Sequence, residues 1–114
     1  MHEYSIALSI VEIAEKEVEK YGAKGVESIE LEIGQLSGIE LLALDFAWEP
    51  ATSGTVLENA SKNIIVIQGT AECNDCHKHY AVKEIYDLCP DCGSFMKEIS
   101  RGKELKIKSL TLIE

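Results

Sequence analysis

The sequence lacks the features that define several large classes of protein. It has 114 residues, of which two are proline and 6% are aromatic. Its longest apolar runs, at 41–44 and 64–67, fall far short of the ~20 residues that a membrane helix needs. No basic residue precedes Lys16, so the charged start of a secretory signal peptide is missing. These absences predict one cytoplasmic domain that does not enter a membrane.

Positive charge is also scarce. The chain carries 11 Lys+Arg against 20 Asp+Glu, for a net charge of −9. Residues 1–69 hold twelve of the acidic residues and only four lysines. Because a protein binds a phosphate backbone by neutralising it with Lys and Arg, this balance argues against nucleic acid as a partner. The sequence contains no H-E-x-x-H string, phosphate-binding glycine loop or nucleophile elbow, so we do not expect an enzyme.

The periodicity of apolar residues predicts both helix and strand. Apolar residues recur at helical spacing over 3–21, and Gly22 is a natural stop for that helix. Apolar and acidic residues alternate over 26–33, which predicts a strand with one face in water. Further strands are predicted at 64–67 and, after a Ser-Arg-Gly turn, from Leu105 to the end of the chain.

A second helix is predicted between the first two strands. Ser37, followed three residues later by Glu40, matches a capping box and places the start of this helix near Glu40. We expect Pro50 to interrupt or kink it, because proline has no N–H and its ring clashes with the preceding turn. Together these elements predict an α+β fold in which two helices pack on a small sheet.

The cysteines predict an inserted lobe within that fold. C-x-x-C occurs twice, with twelve residues between the pairs, and two such knuckles can complete a tetrahedron of thiolates around zinc. Four soft ligands leave no open position for water, so this site is structural rather than catalytic. We therefore expect an α+β domain of residues 1–69 plus 105–114, and a zinc-ribbon lobe at 70–104. The zinc ligands are predicted to be Cys73, Cys76, Cys89 and Cys92.

Other chemistries remain open for this motif. C-x-x-C-H is also the attachment string of c-type haem, but haem would leave the second pair unused. Four thiolates could hold iron as in a rubredoxin-like electron carrier, and paired thiols could act as a redox switch. His77 and His79 flank the first pair and either could replace a thiolate, although two solvated loop histidines are the simpler interpretation.

The first three residues form a second candidate metal site. If the amine of Met1 stays free, it can close adjacent chelate rings with the amide nitrogen and the imidazole Nδ1 of His2. The amide nitrogen of Glu3 could supply a fourth corner, and a planar nitrogen set suits Ni(II) or Cu(II). The alternative is that His2 is a frayed terminal residue and that Glu3 only favours the start of the helix.

Taken in order, the motifs resemble those of the HypA/HybF family, the nickel-insertion accessory proteins of [NiFe]-hydrogenase maturation. The resemblance covers essentially the whole chain. Besides the cysteine knuckles, it rests on MHEYS at 1–5, EIGQLSG at 32–38 and GKELKIKS at 102–109. The chain departs from the family at Glu49-Pro50, where the second helix of relatives usually continues without proline.

The resemblance implies a metallochaperone rather than an enzyme. His2 and Glu3, with Met1 and backbone nitrogens, would bind Ni²⁺ as cargo, while the four cysteines would hold a structural Zn²⁺. The nickel would pass to the hydrogenase large subunit, with a HypB-like GTPase and, in some members, urease accessory proteins as further partners. The competing function is a zinc-ribbon interaction module without nickel transfer.

Overall fold

The computed structural model describes residues 2–114, which form two helices and six strands. No described helix combines the length and hydrophobicity needed to cross a membrane. The elements are α1 (His2–Tyr21), β1 (Gly25–Gly34), α2 (Leu41–Thr52), β2 (Ser61–Ile67), β3 (Gly69–Cys73), β4 (His79–Val82), β5 (Lys97–Arg101) and β6 (Leu105–Ile113).

The strands form two three-stranded sheets. One has the order β2-β1-β6 and the other the order β4-β3-β5. In the second sheet, β3 is antiparallel to both of its neighbours. The central strand of each sheet therefore has a hydrogen-bonded partner on both sides, which satisfies its backbone polar groups.

The chain folds into two compact units, each with its own core. We call the first the helical unit; it comprises the residues up to Leu31, with Ile39–Ile64 and Ile107–Glu114. We call the second the cysteine unit; it comprises Glu32–Gly38 and Ile65–Lys106.

Packing between α1 and α2 organises the helical unit. The small residues Ala7 and Ala14 of α1 are completely buried, as is Leu44 of α2. On β1, Ile29 and Leu31 are each 1% exposed and alternate with more accessible acidic residues. The helical and alternating patterns of the sequence therefore correspond to the faces that are buried.

The second helix begins at Leu41, close to its predicted start near Glu40, but its cap and its course at Pro50 differ from the prediction. Glu40, rather than Ser37, is the N-cap residue, and its side chain accepts a hydrogen bond from the backbone N–H of Leu42. The predicted capping box is therefore wrong. Pro50 lies inside the helix, which continues to Thr52. Pro50 has no N–H to donate to the Phe46 carbonyl four residues earlier, yet it does not interrupt the helix. In the last turn, the Thr52 hydroxyl donates a 2.9 Å hydrogen bond to the Trp48 carbonyl.

The cysteine unit contains strands that the sequence patterns did not reveal. β3 and β4 are five and four residues long, at the lower end of the range over which alternation indicates a strand. Ser100 and Arg101, predicted to form a turn, instead complete β5. The core of this unit is small. Its buried side chains are Ala71, Cys73, Tyr80, Val82 and Cys89. The partly buried Leu36 and Ile99 pack against them.

Three glycines allow backbone segments of the cysteine unit to pass very close together. A Cβ added to Gly34 would overlap the carbonyl oxygen of Gly102. A Cβ added to Gly102 would lie 2.6 Å from the Cα of Gly69, which is closer than real Cβ contacts. The absence of a side chain is therefore required at this crossing.

Candidate metal centre

The structure brings the four cysteines together. One Sγ atom from each lies within 4.8 Å of the other three. Two of the separations, 3.6 Å for Cys73–Cys92 and 3.6 Å for Cys76–Cys89, each join one knuckle to the other. Sulfurs placed tetrahedrally at about 2.3 Å from zinc would be about 3.8 Å apart, whereas a disulfide needs about 2.0 Å. The four thiols therefore have the spacing of a closed metal site.

The two knuckles have the same backbone geometry. Cys73 N–H donates to the carbonyl of Lys78, and Cys89 N–H donates to that of Ser94, both at 2.9 Å. The residue after the second cysteine then turns back, so that the N–H of Gly93 donates to the Cys89 carbonyl. Gly93 has φ 75°, which confirms why glycine suits this position.

In the first knuckle a histidine occupies the position that glycine occupies in the second. The N–H of His77 donates to the Cys73 carbonyl, and His77 has φ 65°. It is the one positive-φ residue other than glycine among the described residues. A left-handed backbone is unfavourable for a residue with a Cβ, although histidine is among the types that adopt it more often.

The thiols of the cluster differ in acidity. A hydrogen bond from the backbone N–H of Cys76 lowers the pKa of Cys73 to about 7. The backbone N–H of Cys92 similarly lowers the pKa of Cys89. At Cys92 the N–H of Ser94 acts in the same direction, but contact with the Cys73 sulfur, burial and the other thiols outweigh it and raise the pKa to about 12. A metal that binds all four sulfurs must therefore displace protons, so binding weakens as the pH falls.

The two flanking histidines lie outside this thiol cluster. The side chains of His77 and His79 are 74% and 75% exposed, and both face Glu72. Among the described residues, the group whose ligand atoms all lie within 4.8 Å of one another contains the four cysteines and no histidine. The interpretation of both as solvated histidines therefore fits the geometry better than thiolate replacement.

The other predicted metal ligands lie at the start of α1. Met1, whose amine was predicted to bind nickel, is outside the described residues. The His2 side chain is 69% exposed, and its Nδ1 lies 3.7 Å from Glu3 Oε2. The Glu3 carboxylate accepts a 3.2 Å hydrogen bond from the backbone N–H of Glu40, which lowers the pKa of Glu3. This contact ties the first turn of α1 to the residue before α2, a link that no sequence pattern indicated.

The first turn of α1 leaves backbone nitrogens available. The first four N–H groups of an α-helix have no carbonyl partner within the helix. The amide nitrogens of His2 and Glu3 are among these four, so a metal could engage them without breaking the hydrogen bonds of the helix. An exposed imidazole thus lies beside amides that no helical carbonyl accepts from, and the N–H of Glu3 instead donates to its own carboxylate.

Fold and site together define a small α+β metal-binding protein with a four-thiolate centre. The family model described as "Hydrogenase/urease nickel incorporation, metallochaperone, hypA" matches residues 1–112. The chain therefore belongs to the HypA family, and the resemblance seen in its motifs is confirmed.

Individual relatives agree with this assignment. A hydrogenase maturation factor HypA from Parabacteroides distasonis is 44% identical over 98% of this chain and 97% of its own length. That from Prosthecochloris aestuarii is 41% identical over 98% and 99%. A solution structure of the Ni metallochaperone HypA from Helicobacter pylori has a TM-score of 0.68 and 26% identity, covering 97% of each chain. The predicted α+β class with its four-cysteine cluster is confirmed.

Proposed function

We propose that this protein binds one Ni²⁺ at its N-terminus and delivers it to the large subunit of a [NiFe]-hydrogenase during maturation. Membership of the nickel-incorporation family supports this function. The observation that carries the proposal is the exposed His2 imidazole beside backbone amides that have no carbonyl partner within α1. In this account the protein carries metal and catalyses no reaction.

The proposed nickel site is built from nitrogen atoms. The amine of Met1, the amide nitrogen and imidazole Nδ1 of His2, and the amide nitrogen of Glu3 would surround the ion in a plane. Deprotonated amides and imidazole are ligands that favour tetragonal Ni(II), whereas Zn(II) favours the tetrahedral thiolates of the cysteine unit. One chain would therefore sort two metals by geometry.

The position of the site suits a carrier. With His2 69% exposed, a recipient protein could approach the ion and replace its ligands one at a time. Glu3 would not need to bind through its carboxylate, because that group already accepts a hydrogen bond from the N–H of Glu40. Its role would be to hold the first turn of α1, and thus the nickel, at a fixed place on the helical unit.

The cysteine unit would hold Zn²⁺ through Cys73, Cys76, Cys89 and Cys92. Sulfur separations of 3.6 Å suit tetrahedral thiolate coordination. Such a closed site stabilises its fold and exposes no position for a reacting molecule. A cytoplasmic location would keep these thiols reduced and available to the metal.

The proposed partners follow from the nickel route. The recipient is the hydrogenase large subunit, a HypB-like GTPase takes part in loading or release, and urease accessory proteins are further candidates. The proposed partners include neither nucleic acid nor a membrane. The net charge of −9 argues against binding to nucleic acid, since it repels a phosphate backbone.

Nickel titration of untagged, zinc-loaded protein tests the proposed site. We expect added Ni²⁺ to produce the visible absorption of one planar nitrogen site, and His2→Ala to abolish that band. His79→Ala is the matched control, since it removes an equally exposed imidazole and should leave the band unchanged. Adding residues before Met1 should also abolish it, because the extension removes the free amine while keeping His2.

The same titration can contradict the proposal. If His2→Ala retains the planar band, His2 is not a ligand and the proposed site is wrong. If the untagged protein takes up no nickel yet contains one zinc, the alternative of a zinc-ribbon interaction module becomes the better description. Metal analysis of the protein as purified distinguishes zinc from iron in the four-thiolate centre.

A further inference from the structure

A second set of metal-binding side chains lies on the surface of the cysteine unit. The Glu72 carboxylate is bracketed by two imidazoles: its Oε2 lies 3.2 Å from His77 Nδ1, and its Oε1 lies 3.9 Å from His79 Nε2. All three side chains are accessible, at 43%, 74% and 75% exposed respectively. None of them belongs to the thiol cluster.

The register of the sheet adds a second carboxylate to this surface. Glu72 on β3 lies directly opposite His79 on β4 and Glu98 on β5. Residues directly opposite one another in an antiparallel pair share a face and have Cβ atoms about 5 Å apart. Like charges in such a pair repel, and in the described residues no lysine or arginine forms an ion pair with either carboxylate. A bound cation would remove this repulsion.

The backbone conformation of His77 also supports a cation-binding role for its side chain. The equivalent residue of the other knuckle is Gly93, which adopts the left-handed conformation at no steric cost. His77 adopts that conformation despite its Cβ and directs its ring at Glu72. Unfavourable backbone conformations persist preferentially at functional sites. The knuckle fold alone gives no reason for histidine here, whereas a ligand role for its side chain does.

We propose that Glu72, His77 and His79 form a second metal site, for a late first-row divalent cation such as Ni²⁺, separate from the four thiolates. Two ligand atoms on an ion with bonds of about 2.0–2.1 Å lie about 3 Å apart, close to the separation of Glu72 and His77. His79 Nε2 lies 3.9 Å from Glu72 Oε1, so its exposed side chain would have to rotate to reach the same ion. Glu98 supplies compensating charge from the opposite strand.

The ligand types determine what this site would do. Two imidazoles and one carboxylate suit nickel, zinc or copper and leave coordination positions for water. The site is open to solvent, so the ion exchanges easily, in contrast to one enclosed by four thiolates. It therefore offers the cysteine unit a reversible cation site on its β4-β3-β5 sheet.

Nuclear magnetic resonance of zinc-loaded His2→Ala protein tests this proposal with Ni²⁺ as the ligand. This background removes the proposed N-terminal ligand, so the result does not depend on the nickel-carrier function. Ni²⁺ with mixed nitrogen, oxygen and water ligands is paramagnetic and broadens nearby signals. We expect broadening centred on Glu72, His77, His79 and Glu98, saturating at one equivalent, with the zinc content unchanged.

Two further variants in the same background complete the test. Combining His77→Gly with His79→Ala should remove the broadening, and it should preserve the fold because glycine suits the backbone conformation of position 77. Lys78→Ala is the matched control: Lys78 lies between the histidines but pairs with Asp91, so broadening should persist.

Three results would overturn the proposal. The first is the absence of localised broadening in the His2→Ala protein, and the second is broadening that survives loss of both histidines. The third is broadening centred on the cysteines with release of zinc, which would mean that nickel enters the thiolate centre instead. Failure of the N-terminal nickel site would change none of these expectations.

Discussion

Removing the metal from the cysteine unit should unfold that unit while the helical unit keeps its structure. The two units have separate cores. In the helical unit, α1 and α2 pack around fully buried aliphatic side chains such as Leu44. In the cysteine unit, two of the five residues in the buried cluster are Cys73 and Cys89, which are also proposed metal ligands.

The expected magnitude follows from that small core. Val82 is its one large buried aliphatic side chain, worth about 1.5–3 kcal/mol at full burial. The Tyr80 ring is also buried, but its hydroxyl has no hydrogen-bond partner among the described residues, which offsets part of its gain. Ordering the backbone of β3 alone, five residues, costs about 5–10 kcal/mol. Apolar packing cannot offset the ordering of the whole unit, whereas structural zinc contributes about 10–16 kcal/mol in small peptides. The metal therefore decides whether this unit folds.

The assay is amide NMR during titration with a zinc chelator under reducing conditions. We expect signals from β3, β4 and β5 to collapse to unfolded positions, while those from α1 and α2 stay dispersed. Cys89→Ser should have the same effect without chelator, and Ser94→Ala, in the same knuckle, should not. Retention of dispersed β3–β5 signals in metal-free, reduced protein would refute the reasoning.

Four further perturbations test the packing, the electrostatics and the proposed nickel ligands. Leu44→Ala should lower the free energy of unfolding, measured with urea, by about 2–5 kcal/mol, because Leu44 is fully buried. Leu42 is 67% exposed, so Leu42→Ala should lower it much less. Equal losses of free energy would contradict the difference in burial between the two leucines. Gly34→Ala should destabilise the cysteine unit by about 1–3 kcal/mol or more through overlap with Gly102, seen as earlier thermal loss of β3–β5 signals; an unchanged transition would contradict this. The pKa of Glu3 is lowered in the folded protein, so its charge stabilises the fold above the usual carboxyl pKa, and this stabilisation is lost as the pH falls through the lowered pKa. Glu3→Gln should therefore lower the melting temperature at neutral pH and have no effect in strong acid. A difference in melting temperature that does not change with pH would show that the Glu3 charge is not its cause. Nickel affinity should fall between about pH 7.5 and pH 6, since protons compete for imidazole and amide nitrogens; equal affinities by calorimetry would argue against nitrogen ligands.

Long periodic segments were predictable from sequence, and short ones were not. The helix predicted at 3–21 and the strand predicted at 26–33 match α1 and β1 to within one residue at each end. Each buries a single face over many residues, so its periodicity is clear. β3 and β4 were missed because a strand of four or five residues contains too few repeats to reveal a pattern. Such short strands are specified by their neighbours in the sheet.

The candidate sites were also predictable from sequence only in part. The paired C-x-x-C spacing predicted that four thiols would converge, because each tight turn places two sulfurs together. The bond from the N–H of Glu40 to the Glu3 carboxylate joins residues far apart in sequence, and no local pattern encodes it. Nor could sequence show that His77 would take the backbone conformation of a glycine and face Glu72. Both contacts depend on tertiary structure.

The most direct test of the nickel-carrier account is transfer from the loaded, untagged protein to a purified hydrogenase large-subunit precursor, with a HypB-like GTPase present. A chelator that captures free Ni²⁺ restricts the assay to direct handover. The account predicts that nickel appears in the large subunit when wild-type protein is the donor, and not when the His2→Ala variant is. Equal transfer from both donors, or none from the wild type, would contradict it.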